Sequence, residues 1–369
     1  MIEENFRNPD ISIEQHIDAR ARSLTEQLAG KIAVYLDTRF WIVVREVRDG
    51  VRTGSSERKL VHHLEALVGA GRAFCPIAEP TFFELMKQGD RDQRVRTAQA
   101  VDDLSGGASL LPDIDRMPGE ARDLLLSTLA GGEARSFVPW TGLGFVLGNL
   151  YPADTIFSAR EERAVQKAVY DRLWETPLAQ IVATLDSDSW SRPHELEAAA
   201  FRLNHGNERH RHQMKSFEHV LEQEFHGVAL TCAEMLPEFA HALARMVPAM
   251  PISAEQFWTN AFREMLKNPK QARQLPTAHI HATIHALFRW EYRDKVIVPN
   301  DLVDFRHAAA ALGHCDALLT ERGLERTLTH RRRPLQEIHQ RIVISNLDQA
   351  VDYLCSLRQG QPMHRQSDR

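Results

Sequence analysis

Four short apolar runs constrain the fold of this chain more than any other feature. "KIAVYLD" (31–37) and "AFCPIA" (73–78) precede a long helical middle, and "DALLT" (316–320) and "RIVISNL" (341–347) follow it. Each run is too continuously apolar for a strand with one wet face. Such runs suit strands covered on both faces, as in parallel sheets. Between the first two lies "SERKLVHHLEALVGAG", a helical pattern closed by glycine. Strand–helix–strand alternation predicts an α/β layer with a short, mostly parallel sheet.

The stretch from about 90 to 295 has a different character. Amphipathic helical patterns dominate, as in "EERAVQKAVYDRLWETPLAQIVATL" and "SFEHVLEQEFHGVALTCAEMLPEFAHALARMV", and Ser253 and Gln256 have capping-box spacing. Looser stretches at 105–113 and 131–155 interrupt them, and no repeat of solenoid period is present. The expected organisation is an N-terminal helical extension (1–30), an α/β domain built from 31–90 and 295–350, an all-α insertion (91–294) and a C-terminal tail (351–369).

Charge narrows the partners. Lys and Arg number 45 against 50 Asp and Glu, a net charge of −5. No global positive field advertises nucleic acid, so contact with it would need a local basic patch. The four cysteines (Cys75, Cys232, Cys315, Cys355) are far apart and form no CxxC pair. Without a signal-peptide pattern, they are expected to be reduced thiols in a cytoplasmic protein. No apolar run approaches the ~18 residues that cross a bilayer, so no membrane insertion is expected.

The acids carry the chemistry. In open α/β sheets, sites form at the carboxyl ends of the strands. Asp37 stands at that end of the first run. The helix start "EPTFFELMK" after the second carries Glu79 and Glu84. Asp301 and Asp304, three apart, can share a helix face; Asn300 or Asp301 can cap that helix. Alanines 308–311 would let it lie close to the sheet, holding Asp304 near the strand ends. "ALLTE" ends in Thr320 and Glu321 on the crevice side. Asp316 precedes its strand, about four residues at ~3.3 Å each from that edge, and ranks below Glu321. Converging carboxylates cost kilocalories unless a cation neutralises them. Oxygen-only ligands point to Mg²⁺ or Mn²⁺ rather than zinc. Such a cation activates water and stabilises developing phosphoryl charge.

These segments resemble the PIN-domain ribonuclease family. "VYLDTRFWI" is similar to its opening strand ending in Asp-Thr-Asn, with Arg39 in place of the Asn. "EPTFFEL" matches x-x-Thr-x-x-Glu-Leu and selects Glu84 over Glu79. "DFRHAAAAL" matches an Asp opening an alanine-rich helix and selects Asp304, and "LLT" follows with the family's threonine, Thr320. The fourth acid's usual position falls on Arg322, with Glu321 one residue early. The resemblance covers about 30–90 and 295–350. It implies a PIN-like three-layer fold and an endoribonuclease with Mg²⁺ or Mn²⁺ on Asp37, Glu84 and Asp304. Asp301 and Glu321 would be substitutes for the fourth acid. It also implies RNA as substrate and allows an antitoxin or other regulatory protein as partner.

Other features yield weaker expectations. "HRRRP" supplies Arg331, Arg332 and Arg333, which with Arg39 and Arg322 could grip a phosphate backbone. Arg39 and Arg322 could instead pair with the acids and silence them, leaving an RNA-binding or protein-interaction module. "HGNERHRH" and "HIHATIH" raise zinc, since His281 and His285 are four apart. Without HExxH spacing, ordinary histidines are favoured. "DTR" lacks the second Asp of a haloacid-dehalogenase-like phosphatase. Surplus apolar faces in the insertion would allow a homo-oligomer.

Overall fold

The computed structural model describes residues 5, 6, 8, 10–129, 137–185, 194–235, 237 and 253–360. The first half of the chain runs α1 (Ile13–Leu28), β1 (Ile32–Leu36), α2 (Thr38–Arg48), α3 (Ser55–Gly69), β2 (Ala73–Phe74), α4 (Glu79–Met86), α5 (Arg91–Leu104), β3 (Ala108–Leu110), α6 (Asp113–Leu129), β4 (Trp140–Gly142), α7 (Ala159–Trp174) and α8 (Leu178–Thr184). Then come α9 (His194–His210), α10 (Phe217–Glu234), α11 (Ala254–Lys267), α12 (Pro276–Glu291), α13 (Pro299–His314), β5 (Ala317–Leu319), α14 (Arg322–Leu328), β6 (Ile342–Ile344) and α15 (Leu347–Gln359), with short helical turns between.

All four apolar runs become strands of one sheet, ordered β2-β1-β5-β6. Every pairing is parallel, with Val34 opposite Ala317 and Leu319 opposite Ile344. The carboxyl ends of the strands therefore share one edge.

Side-chain alternation explains why both faces are covered. Val34 and Leu36 point into a cluster with Trp41, Leu60, Leu64, Val101 and Leu354. Ala33 and Tyr35 point the other way, to Ile280, Ile284 and Ala308–Ala311. Burying an aliphatic side chain such as Val34 or Leu36 contributes about 1.5–3 kcal/mol. Four consecutive alanines, each no more than 1% exposed, present no bulk between α13 and its neighbours, so the helix settles close to the sheet.

Three expectations about organisation change. The middle segment is not all-helical, because β3 and β4 pair antiparallel within it. Nor does packing stop at residues 91 and 294. Helix α5 places Ala98, Val101 and Leu104 in the same cluster as β1, and Leu196, Ala200 and Phe288 share the opposite one. Among the described residues, the cluster around Phe225, Trp258, Phe262 and Leu287 is the one that belongs to the helical part by itself. Finally, residues 351–359 of the expected tail lie inside α15. Asn346 caps this helix on the Gln349 amide at 3.1 Å, and Gly360 closes it in a left-handed turn at φ 73°. Ala350, Val351 and Leu354, spaced by one and three, bury its inner face. Residues 361–369 lie outside the described part.

The N-terminal helix α1 has a capping box, Ser12 with Gln15, and packs Leu24 and Leu28 into the main core. The capping box expected at Ser253 and Gln256 is present, with bonds of 3.1 and 3.2 Å. Among the described residues, Cys75, Cys232 and Cys315 are buried free thiols and Cys355 is partly exposed. No described helix is long and apolar enough to cross a membrane.

Candidate functional site

The site begins where β1 ends. The Asp37 amide donates to Leu319 O at 3.0 Å, and the Thr320 amide donates to Ile344 O at 2.9 Å. These bonds align the ends of β1, β5 and β6. Asp37 then leaves the sheet with extended backbone and caps α2, its Oδ1 accepting from the Phe40 amide at 3.4 Å. This cap engages Oδ1.

Asp37, Glu84, Asp304 and Glu321 line one cavity of about 260 Å³ at this edge, with Thr320 in its wall. The four acids come from β1, α4, α13 and the start of α14, so segments separated by more than 200 residues meet here. His307, Thr38, Arg39, Arg52 and Asn300 complete the polar lining. His307 and Arg52 were not singled out in the sequence, whereas Thr38 is the threonine of the Asp-Thr-Asn-like motif. His307 left a local signal, three residues after Asp304 and hence on the same helix face.

Glu84 is held firmly. Its Oε2 accepts from the Thr38 hydroxyl and from His307 Nε2, the latter at 3.1 Å. On the far side of the ring, His307 Nδ1 is 2.8 Å from the Tyr35 hydroxyl, which is 3.0 Å from Thr81 Oγ1. Burial raises the Glu84 pKa, yet the hydrogen bond and charge of His307, with Thr38 and Lys87, outweigh it and bring the pKa below its ordinary value. For His307, burial disfavours the charge, and the Glu84 bond with the charges of Glu84, Asp37 and Asp304 raises its pKa above ordinary.

The other two acids go the opposite way. Burial pushes Asp37 up to about 6 despite the His307 charge, the Thr320 hydroxyl and the Phe40 amide, with Glu321 adding to the rise. Burial pushes Asp304 up to about 7 although His307 opposes it; Glu84, Glu321 and Asp301 add to the rise. Two carboxyls in one cavity are thus short of positive charge. The Thr320 hydroxyl is buried beside Asp37 but closes no full hydrogen bond. Carboxyl oxygens short of positive charge, next to a buried hydroxyl without a full hydrogen bond, fit a hard divalent ion such as Mg²⁺ or Mn²⁺. Among the described residues, no three His, Cys, Asp or Glu side chains already surround one point at ligating geometry. The acids share a crevice and are not drawn into a closed cage.

Several candidates lie elsewhere. Asp301 turns from the cavity, bonding the Val298 amide at 2.9 Å and Lys295 Nζ at 2.6 Å, so it is a helix cap with an ion pair and not a substitute ligand. Glu79 pairs with Arg306 at 3.2 Å. Asp316 accepts from the Ala33 amide at 2.9 Å at the amino end of β5, the opposite edge of the sheet.

The arginines divide similarly. Arg39 is exposed in the cavity lining, its guanidinium 5.7 Å from the Phe40 ring centre, and makes no ion pair with Asp37, Glu84 or Asp304. Arg322 is exposed at the start of α14, outside the lining. The Arg331–Arg333 turn does not reach the cavity. Arg332 is drawn to Glu291 and lies 5.8 Å from the Phe217 ring, and with Arg333 it lines a separate hollow against Phe217 and Glu218. A carboxylate and an aromatic ring on the helical segment hold Arg332 there. The guanidiniums that line the cavity are instead those of Arg39 and Arg52, the latter also paired with Glu46 at 2.8 Å.

The histidine clusters are structural in their contacts. His281 bonds Asp113 at 2.6 Å, and His285 packs edge-on against Phe305 at 5.0 Å. His279 and His339 share a buried bond of 2.9 Å, and burial drives their pKa values down to about 3 and about 2.

The class defined here is an α/β protein with an acidic crevice at the carboxyl edge of a four-stranded parallel sheet. Compared with known proteins, the chain matches no family model, no curated protein and no solved structure.

Proposed function

We propose that this protein is a metal-dependent endoribonuclease with a PIN-like active domain. One observation carries the reading. Asp37, Glu84 and Asp304, selected by three separate motifs, line the same cavity. Asp37 and Asp304 would ligate Mg²⁺ or Mn²⁺ after losing their protons, with Glu84, already anionic, beside them. The bound ion would activate water for attack on phosphorus and neutralise charge developing on the phosphoryl oxygens. Arg39 stands at the cavity lining to receive the phosphate, and Arg52 supports it from α3's approach. Free cysteines suit a cytoplasmic setting.

A second reading, an RNA-binding module without cleavage, is favoured by Arg39 and Arg322 at positions where the family motif has Asn and an acid. One experiment separates the two. Single-stranded and structured RNA are incubated with wild type, Asp37→Asn and Asp304→Asn, with Mn²⁺ or EDTA. The enzyme reading predicts cleavage that needs Mn²⁺ and falls by at least ~100-fold in each variant, the upper range for disturbing even an outer-shell partner. RNA retention without cleavage supports the binding module and removes the enzyme.

A further inference from the structure

Each of the three acids has a polar neighbour two or three residues before or after it in the chain: Tyr35 with Asp37, Thr81 with Glu84, His307 with Asp304. These partners are bonded to one another. The chain runs Thr81 Oγ1–Tyr35 OH at 3.0 Å, Tyr35 OH–His307 Nδ1 at 2.8 Å, and His307 Nε2–Glu84 Oε2 at 3.1 Å. It links β1, α4 and α13 directly beneath the cavity. Tyr35, Thr81 and His307 are at most 3% exposed, so water does not compete for these bonds. The imidazole also packs edge-on to the Tyr35 ring, with centroids 5.7 Å apart.

We propose that His307 is the positioning residue of this site, clamping Glu84 so that one carboxylate oxygen faces the cation and bracing the three elements that carry the acids. The proposal rests on the metal-site reading above. Its logic is proton bookkeeping. An ionised carboxylate only accepts hydrogen bonds, so His307 Nε2 must carry hydrogen. In the neutral ring, Nδ1 then accepts from the Tyr35 hydroxyl, which accepts from Thr81. In the cation, Nδ1 donates to Tyr35, which donates to Thr81. Both states keep the Nε2–H bond to Glu84, so the clamp does not depend on the charge of the ring. Glu84 Oε2 takes this donor and the Thr38 hydroxyl. Oε1 is left for the cavity, making Glu84 a one-oxygen ligand. Outer-shell donors of this kind orient metal ligands, and removing them typically costs ~10–100-fold in metal affinity.

The test uses the full chain with two readouts. In metal-free protein, nitrogen-15 NMR of the His307 imidazole is expected to show hydrogen on Nε2; a bare Nε2 overturns the clamp. Mn²⁺ affinity is then followed by the electron paramagnetic resonance of free Mn²⁺. His307→Asn, whose amide stands near Nδ1 and cannot reach Glu84, is expected to bind ~10–100-fold more weakly. His307→Gln, whose amide reaches the Nε2 position, recovers most of the loss. Should His307→Asn fail to fold, Tyr35→Phe, which removes only the hydroxyl, carries the comparison and is expected to weaken binding. Wild-type affinity in His307→Asn or Tyr35→Phe overturns the proposal and leaves the metal site standing. A wild type that takes up no Mn²⁺ removes the metal reading, and the NMR result alone then decides the clamp.

Discussion

Asp37 caps a helix and also lines the acidic cavity, and its raised pKa, near that of Asp304, reports the second role. The two acids lead to a pH dependence whose sign is opposite to that of an ordinary ion-paired carboxylate. A carboxyl with a raised pKa holds its proton more tightly folded than unfolded, where the value is ~4. Between there and the folded values of about 6 and about 7, the folded chain carries more bound protons, so metal-free stability falls as pH rises. Urea midpoints in EDTA are expected to drop from pH 5 to pH 8, less so in Asp304→Asn, and Mn²⁺ is expected to restore the pH 8 value. Equal slopes in wild type and variant would remove this account of Asp304. Asp37, Glu84 and Asp304 were legible in sequence because each sits in a compact local pattern. The Tyr35–His307 bond was not, since its partners are 272 residues apart and neither motif refers to the other.

At the level of elements, α13 matters most, because a single helix supplies Asp304, His307 and the four close-packed alanines. Ala309 is fully buried against the sheet layer. Ala309→Leu is expected to cost about 1–3 kcal/mol in urea unfolding through overpacking. It should also weaken Mn²⁺ binding by displacing the acid face of the helix. Unchanged stability would mean that the alanines do not set the closeness of that packing. The four strands of the parallel sheet were legible as continuous apolar runs, since burial on both faces demands them. The β3–β4 pair was not. Each strand has three residues, and their pairing spans about 30 positions, so no local period marks it. Helix α15 is not separable in the sequence, because its apolar spacing follows directly on the β6 run.

At the scale of the whole molecule, the helical segment is part of the same body as the sheet. Ile280, Ile284 and Phe288 share a core with Tyr35 and Leu318. Calorimetry is therefore expected to show one cooperative unfolding transition; two well-separated transitions would contradict the shared core. The helical character of the middle was legible in its amphipathic periods. Its docking was not, because periodicity marks an apolar face and says nothing of what covers it. The central claim is that opposite ends of the chain meet around one divalent cation. Its most direct test is a crystal soaked in Mn²⁺ and measured for anomalous scattering. The account predicts a single peak in the cavity, ~2.0–2.3 Å from oxygens of Asp37 and Asp304 and one oxygen of Glu84. No peak there, or a peak only at another surface, would contradict it.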